Sequence, residues 1–299
     1  MEKIFIIGST NTDMVVITDR LPLPGETKLG GSFFMNAGGK GANQAVAAAR
    51  LGGDITFVTK VGKDIFGKQA VEGFKKEQIE TNFVFVDEHA PSGTALIIVD
   101  EGGENCIVVA PGANAHLLPA DIDRVKEINE AAILLVQLEI PLMTIAYIVD
   151  IVKSGRQKLI INPAPAQQLP DELLNGLFLI TPNESETHIL TGIHVENEYS
   201  ASEAAEIFLK KGVRNVLITL GREGAFFQNK ELKLKVDAPV VKAVDTTAAG
   251  DVFNGALAVA LAENMSWEKA LRFSVQAASI SVTRMGAQSS APFRKEITF

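Results

Sequence analysis

Cysteine is nearly absent from this 299-residue chain, where Cys106 stands alone. One thiol closes no intramolecular disulfide and builds no cysteine metal cluster. The four histidines, His89, His116, His188 and His194, show no ligand spacing such as H-E-x-x-H, so each reads as structural or superficial. No G-x-G-x-x-G occurs, which leaves a Rossmann dinucleotide site without its fingerprint. No apolar run approaches a membrane span. Residues 4–7, Ile-Phe-Ile-Ile, are too short for the apolar region of a signal peptide, and a cytoplasmic protein is expected. Positive charge is also scarce. A net charge of −8 argues against general binding to nucleic acid or anionic membranes, though a small anion needs only a local basic pocket. Internal repeats, low-complexity tracts and linker-like stretches are missing as well.

What is present is an ordinary globular mixture, 46% hydrophobic and 21% charged, with ample apolar side chain for a core. Continuous apolar strands are expected at 4–7, 55–60, 133–138, 158–162, 178–181 and 216–219, with a shorter one at 15–17. Helical stretches separate them, including 44–51, 204–211 (with Ser200 and Glu203 as a capping box), 249–264 and 267–283, the last capped by Ser266. Two β-branched arms at 95–99 and 106–110 flank a glycine-bearing loop and read as a hairpin, as do 226–228 and 232–236. A further strand is expected at 239–244. Buried strands alternating with helices predict an α/β fold, a doubly wound, mostly parallel sheet covered by helices on both faces, as a single domain over 1–299.

The stretch Ala243-Val-Asp-Thr-Thr-Ala-Ala-Gly-Asp251 opens the helix expected at 249–264. A turn of small residues at a helix start leaves backbone N–H groups unpaired at the positive end of the macrodipole, an anion site. Asp251 lies in that first turn, where the dipole is expected to lower its pKa. An anion hole beside a carboxylate suits phosphoryl transfer, with the amides of Ala248, Ala249, Gly250 and Asp251 holding charge and Asp251 taking a proton. An acid in a first helical turn is also common for dipole reasons alone, so the turn by itself leaves both readings open.

Other stretches carry similar ambiguity. Gly38-Gly-Lys-Gly-Ala-Asn43 is a glycine-rich turn before a helix, or a floor that lets a ligand approach the backbone while Lys40 and Asn43 supply charge and hydrogen bonds. Asn11 and Asp13 follow the first strand at its C-terminal end, where ligand crevices of open α/β sheets lie, and share one face of an extended segment. Glu139 ends the strand at 133–138 in the same way. Asn183 and Glu186, after another strand, read as a helix N-cap with an acidic first turn or as ligand groups. Thr219-Leu-Gly221-Arg-Glu-Gly224 is a strand-to-glycine turn. Gly62-Lys-Asp-Ile-Phe-Gly-Lys68-Gln69 mimics a phosphate loop, but Gln69 replaces the metal-binding hydroxyl and Asp64 would repel phosphate, so a structural role is expected.

Asp245-Thr-Thr-Ala-Ala-Gly-Asp251, together with Gly38-Gly-Lys-Gly-Ala-Asn43 about 200 residues earlier, resembles the paired signatures of the ribokinase (pfkB-type carbohydrate kinase) family, and matching segments run from residue 8 to 290. The resemblance implies an ATP-dependent kinase for the 5-hydroxyl of D-ribose, with Asp251 as general base. It places the sugar on Asn11, Thr12, Asp13, Gly39, Lys40, Gly41, Ala42, Asn43 and Glu139. It places the nucleotide on Asn183, on Thr219, Leu220, Gly221, Arg222, Glu223 and Gly224, on Gly250, and near Val275, an adenine-side position that is often polar in the family. Glu186 would organise hydrated Mg²⁺. Asp245, Thr247, Ser281, Arg284, Gly286 and Ser290 would hold a potassium-like ion. The family also implies a small β lid from insertions at about 12–37 and 92–112, through which two copies pair as a homodimer. Fructokinase, deoxyribokinase, ketodeoxygluconate kinase and nucleoside kinase activities stand as alternatives. A silent sugar sensor and an oxidoreductase are disfavoured by the intact Asp251 and the missing dinucleotide fingerprint.

Overall fold

The structure is a computed structural model that describes residues 2–153 and 155–298. In chain order its strands are β1 (Lys3–Ile7), β2 (Asn11–Ile17), β3 (Ser32–Gly38), β4 (Asp54–Gly62), β5 (Val84–Asp87), β6 (Gly93–Val99), β7 (Asn105–Ala110), β8 (Ile133–Gln137), β9 (Lys158–Asn162), β10 (Leu179–Ile180), β11 (Asn215–Thr219), β12 (Ala225–Asn229) and β13 (Lys233–Val236). The helices are α1 (Lys40–Arg50), α2 (Ile65–Lys76), α3 (Pro119–Ile122), α4 (Leu142–Val152), α5 (Asp171–Leu174), α6 (Glu184–Thr191), α7 (Glu198–Lys210), α8 (Ala249–Ala262) and α9 (Trp267–Ser281). Among the described residues no helix is long and apolar enough to cross a membrane.

Nine strands form one sheet in the order β13-β12-β11-β10-β9-β8-β1-β4-β5. All neighbours are parallel except β11–β12 and β12–β13, the edge hairpin. Alternation along each strand decides what lies on either face. Ile4 and Ile6 of β1, with Ile133 and Leu135 of β8, enter one core beneath α1, α2, α8 and α9. Phe5 and Ile7, with Leu134 and Val136, enter a second core beneath the other helices, α3 to α7. Continuous apolar runs follow from burial on both faces, which is why these strands are legible in the sequence. Helix α8 is buried from Asp251 to Ala262 between α1 and α9, as its apolar circumference requires.

The second sheet has four strands in the order β3-β2-β6-β7, with β2 and β6 parallel and the other pairs antiparallel. It is built from the two stretches expected as insertions. Asp64 caps α2 through the Gly67 N–H (2.8 Å) and also accepts from the Ser92 N–H and Oγ, both at 2.7 Å, just before β6. The phosphate-loop mimic is thus a brace for the root of this sheet.

Three local expectations need correction. Residues 239–244 form no strand: β13 stops at Val236, and the valines that suggested one lie along an exposed segment with no ladder partner. Helix α7 is capped by Asn197, not Ser200. Asn197 Oδ1 accepts from the Tyr199 and Ser200 N–H groups, and the Asn197 N–H donates in return to Ser200 Oγ. Helix α8 ends at Ala262, and Asn264 adopts a left-handed φ of 55° just beyond it.

Candidate active site

The chain runs from β1 outward through β4 and β5 on one side, and through β8 to β11 on the other, so the strand order reverses between β1 and β8. Open α/β sheets bind ligands outside the carboxyl ends of strands at such a point. Here those ends are joined. Ser9 Oγ, just after β1, donates to Glu139 Oε2 at 2.5 Å, and the same oxygen accepts the Lys40 N–H at 3.1 Å. The Gly38–Asn43 turn is pressed against this junction. A Cβ on Gly39 (φ 88°) would come 2.7 Å from the Asn11 nitrogen, and one on Gly41 would come 2.6 Å from Ser9 N. Protein backbone, then, fills the space these two glycines open. Ala42 is a core residue with no exposed surface, so its side chain is not brought to the crevice as the sequence suggested.

Asp251, in the first turn of α8, is buried and held from α1. Asn43 Nδ2 donates to Oδ2 and Gln44 Nε2 to Oδ1, each at 2.9 Å. Its pKa is raised, not lowered as the dipole argument predicted. Burial dominates, while Lys40 and the two amides pull the other way. The Ala248 residue that precedes the helix sits at φ 60°. The Ala249 N–H is taken by Thr246 O at 3.3 Å, which removes it from the expected set of anion-holding donors. Among the described residues the amides of Ala248, Gly250 and Asp251 have no such partner, and the space over Gly250 is open.

Asn11 and Asp13 lie on one face of β2, and Thr12 between them points to the opposite face, so its side chain is not gathered here. Asn11 is oriented by Asn114, whose Nδ2 donates to Asn11 Oδ1 at 2.7 Å and whose Oδ1 accepts the Thr10 N–H at 2.8 Å. Asp13 is pushed up to about 6 by burial and then by Glu139 and Asp251, with Lys40 opposing. Burial draws the Lys40 ammonium down, but Asp251, Glu139, Glu186 and Asp13 outweigh it and leave the pKa raised. Among the described residues the crevice therefore sets Lys40 amid several carboxylates.

The next strand ends carry the second group of candidates. Asn183 caps α6 in a reciprocal box with Glu186, each bond 2.8 Å, so the capping reading of this pair holds in the structure. Burial raises the Glu186 pKa, against its bond from the Asn183 N–H and the nearby Lys40. Thr219 lies beside Asn183, its N–H donating to Pro182 O at 3.0 Å. Leu220 points into the core, Arg222 and Glu223 point to solvent, and Gly221 and Gly224 adopt φ of 50° and 94°. A Cβ on Gly224 would meet Val236 O at 1.9 Å, which seats the turn against the end of β13. Beyond it runs a groove of about 630 Å³ lined by Val236, Asp237, Pro239, Arg272, Gln276 and Val275, of which Val275 offers little surface.

The predicted cation loops also meet. Asp245 Oδ1 accepts the Thr247 N–H and Oδ2 the Gly286 N–H, each at 2.9 Å. Ser281 and Ser290 donate their hydroxyls to Ala278 O and Ala287 O, at 2.8 Å each. The Arg284 side chain pairs with Glu296, so only its backbone could face an ion. The donor set is hard oxygen, mostly neutral, which fits a monovalent cation. Among the described residues no group of three or more His, Cys, Asp or Glu could hold a metal ion.

Sequence reasoning missed Ser9, Gln44 and Asn114. Gln44 adjoins the recognised Asn43, and a glutamine amid alanines and valines was the only signal for it.

Residues 1–294 match the pfkB family carbohydrate kinases. A ribokinase of Haemophilus influenzae is 44% identical over 292 residues, covering 97% of this chain and 95% of that protein. A deoxyribokinase of Salmonella typhi is 36% identical, covering 97% of this chain and 95% of that protein. The structure of Arabidopsis thaliana ribokinase complexed with ribose and ATP superposes with a TM-score of 0.92 at 34% identity, covering 98% and 96% of the two chains. This chain belongs to the pfkB family of carbohydrate kinases.

Proposed function

We propose that the protein is an ATP-dependent ribokinase, transferring the γ-phosphoryl group of ATP to the 5-hydroxyl of D-ribose. The observation that carries this reading is Asp251, a buried carboxylate in the first turn of a helix whose neighbouring amides are open, set in a chain 44% identical to a ribokinase. The attacking hydroxyl loses its proton to Asp251 as its oxygen bonds to phosphorus and the bond from phosphorus to ADP breaks. A raised pKa suits that role, because a base works best near the operating pH. The open amides of Ala248, Gly250 and Asp251 receive the phosphoryl charge. Lys40 offsets the crowd of carboxylates. Asn11, Asp13, Asn43 and Glu139 take the sugar hydroxyls. Among the described residues the buried Asn43 Oδ1 has no partner, as a ligand acceptor would. The nucleotide lies along Asn183, the turn from Thr219 to Gly224, and the groove at Val275. Glu186 would order Mg²⁺-bound water, and the ion would neutralise phosphate charge. The 245–247 and 281–290 loops would hold K⁺, which would fix the backbone beside the anion hole.

The chain acts as one domain, with the small sheet as a lid over the sugar. The other face of that sheet is apolar, with Phe33, Met35, Leu96 and Val108 all exposed, and a second copy covers it in a homodimer. A reaction that consumes ATP suits the cytoplasm. The deoxyribokinase relative makes 2-deoxyribose the alternative acceptor. The test is a sugar panel with ATP, read by ADP release. Ribose is expected to give the highest kcat/KM. Faster turnover of 2-deoxyribose or fructose overturns the assignment to ribose, and no turnover of any sugar overturns the kinase.

A further inference from the structure

Asp251 does not stand alone in the interior. Gln44 Nε2, besides donating to Asp251 Oδ1, donates to Asn162 Oδ1 at 3.0 Å. Gln44 Oε1 accepts from Gln137 Nε2 at 2.6 Å. Asn162 Nδ2 continues to Thr181 O at 3.0 Å, the Thr181 hydroxyl donates to Asn254 Oδ1 at 2.6 Å, and Asn254 Nδ2 returns to Gly250 O at 2.8 Å. Gln44, Gln137, Thr181 and Asn254 are at most 1% exposed. The chain of polar groups thus begins at the carboxylate and ends on the residue preceding it, passing through β9 and the end of β10, with Gln137 of β8 branching from Gln44.

We propose that Gln44 is the residue that sets the position and basicity of Asp251, with Gln137 fixing which way the Gln44 amide faces. The reasoning rests on the kinase reading above. A primary amide has two N–H donors. Both Gln44 donors are occupied by carboxylate and carbonyl oxygens, and its own oxygen is taken by Gln137. Its donors are spent and its side chain is fully buried, so Gln44 offers no exposed group to a sugar or nucleotide and acts through Asp251. The direction of the chain is set by charge. A carboxylate accepts only, so Gln44 must turn its nitrogen to Asp251 and its oxygen to Gln137. Gln137 must answer with its nitrogen, and its own oxygen is left against Gly8, where a Cβ would come within 2.0 Å. That oxygen is buried without a partner among the described residues. A buried unsatisfied carbonyl is costly, and here it is what remains when every amide is oriented from the base outward. Donation from Gln44 favours the ionised form of Asp251 and counters the burial that raises its pKa.

The test is Gln44→Met, which keeps length and removes donor and acceptor together, read by the pH profile of kcat/KM for the sugar. Loss of one hydrogen bond to the charged form is expected to move the acid limb up by about 1 pH unit. Gln44→Glu places a second carboxyl beside Asp251 and is expected to move it further. Sugar KM at the new plateau is expected to stay within about threefold of wild type, since Gln44 touches no substrate. Rate lost uniformly with an unmoved limb, or a large rise in KM at unchanged kcat, overturns the proposal. If Gln44→Met does not fold, Gln137→Met is expected to show a smaller shift in the same direction, and an unmoved limb there overturns it equally. Carbon-13 titration of the Asp251 carboxyl, assigned by its loss in Asp251→Asn, reads the same shift without turnover. A wild type without kinase activity thus remains distinguishable from a failure of this proposal.

Discussion

The carboxylate of Asp13 rests against the bare Cα of Gly38, in the place a side chain there would occupy. A Cβ on Gly38 would come 2.2 Å from Oδ2 and 2.4 Å from Oδ1 and Cγ of Asp13. Gly38 has no left-handed φ, so alanine strains no backbone there and must displace the acid instead. Gly38→Ala is expected to raise the KM for ribose by roughly tenfold or more through misplaced hydrogen bonds, with a smaller effect on kcat. Steady-state kinetics at saturating ATP check this, and an unchanged KM would remove Asp13 from the sugar site.

The same carboxyl couples stability to pH. Its pKa in the folded protein is about 6, above the ordinary carboxylate value. The folded state therefore holds this proton more tightly than the unfolded chain. The group's contribution is full below the ordinary value near 4 and is lost as pH rises through about 6. Asp13→Asn removes that penalty. The ligand-free variant is expected to melt a few °C above wild type at pH 7.5, at roughly 2 °C per kcal/mol released. At pH 5, where the wild-type acid is mostly protonated, the gain should fade. Calorimetry at the two pH values decides it, and a stabilisation equal at both would discard the linkage.

Replacing the proposed base is expected to give the sharpest loss. Asp251→Asn keeps the shape but removes the basic oxygen, and kcat is expected to fall by about 10²–10⁴ with ribose binding largely kept. Near wild-type turnover would refute the assignment of Asp251.

On the proposed cation site, exchange of K⁺ for Na⁺ at constant ionic strength is expected to lower kcat, because the smaller ion would fit the 245–247 and 281–290 loops less well. Asp245→Asn should blunt that difference, since its carboxylate joins the two loops at Thr247 and Gly286. Equal rates in both salts count against the cation site.

Light scattering tests the apolar face of the small sheet. A dimer is expected at micromolar concentration, and Leu96→Asp, which places a charge at the centre of that face, is expected to give monomers. A monomeric wild type ends the dimer proposal.

Much of the fold was legible in the sequence for a definite reason. Strands such as β8, Ile-Leu-Leu-Val-Gln, are buried on both faces, so their apolar runs are unbroken. Residues 239–244 show the limit of that reasoning. Their valines carry real strand preference, but a strand also needs a neighbour, and none reaches them. In the site, Asn43, Glu139 and Asp251 were readable because they end strands or open helices. Gln44 was not, since a glutamine in a helix usually faces water. Its burial is decided by α8, which arrives more than 200 residues later. The pKa of Asp251 was misjudged for the same reason: the helix dipole is local and visible, whereas desolvation comes from the whole fold.

Helix α1 stands between two groups of residues that belong to different parts of the molecule. Asn11 and Asp13 come from the small sheet, Asp251 and the open amides from the start of α8, and α1 with the turn before it touches both, Gly39 lying against the Asn11 backbone and Asn43 and Gln44 on Asp251. Such a layout is modular. Strands of the small sheet could be exchanged between relatives to retarget the enzyme to another sugar, while the transfer apparatus, held by α1 and by the hydrogen-bonded chain through Asn162 and Thr181, would carry over unaltered. For an engineer, the seam to cut is Gly38–Gly39.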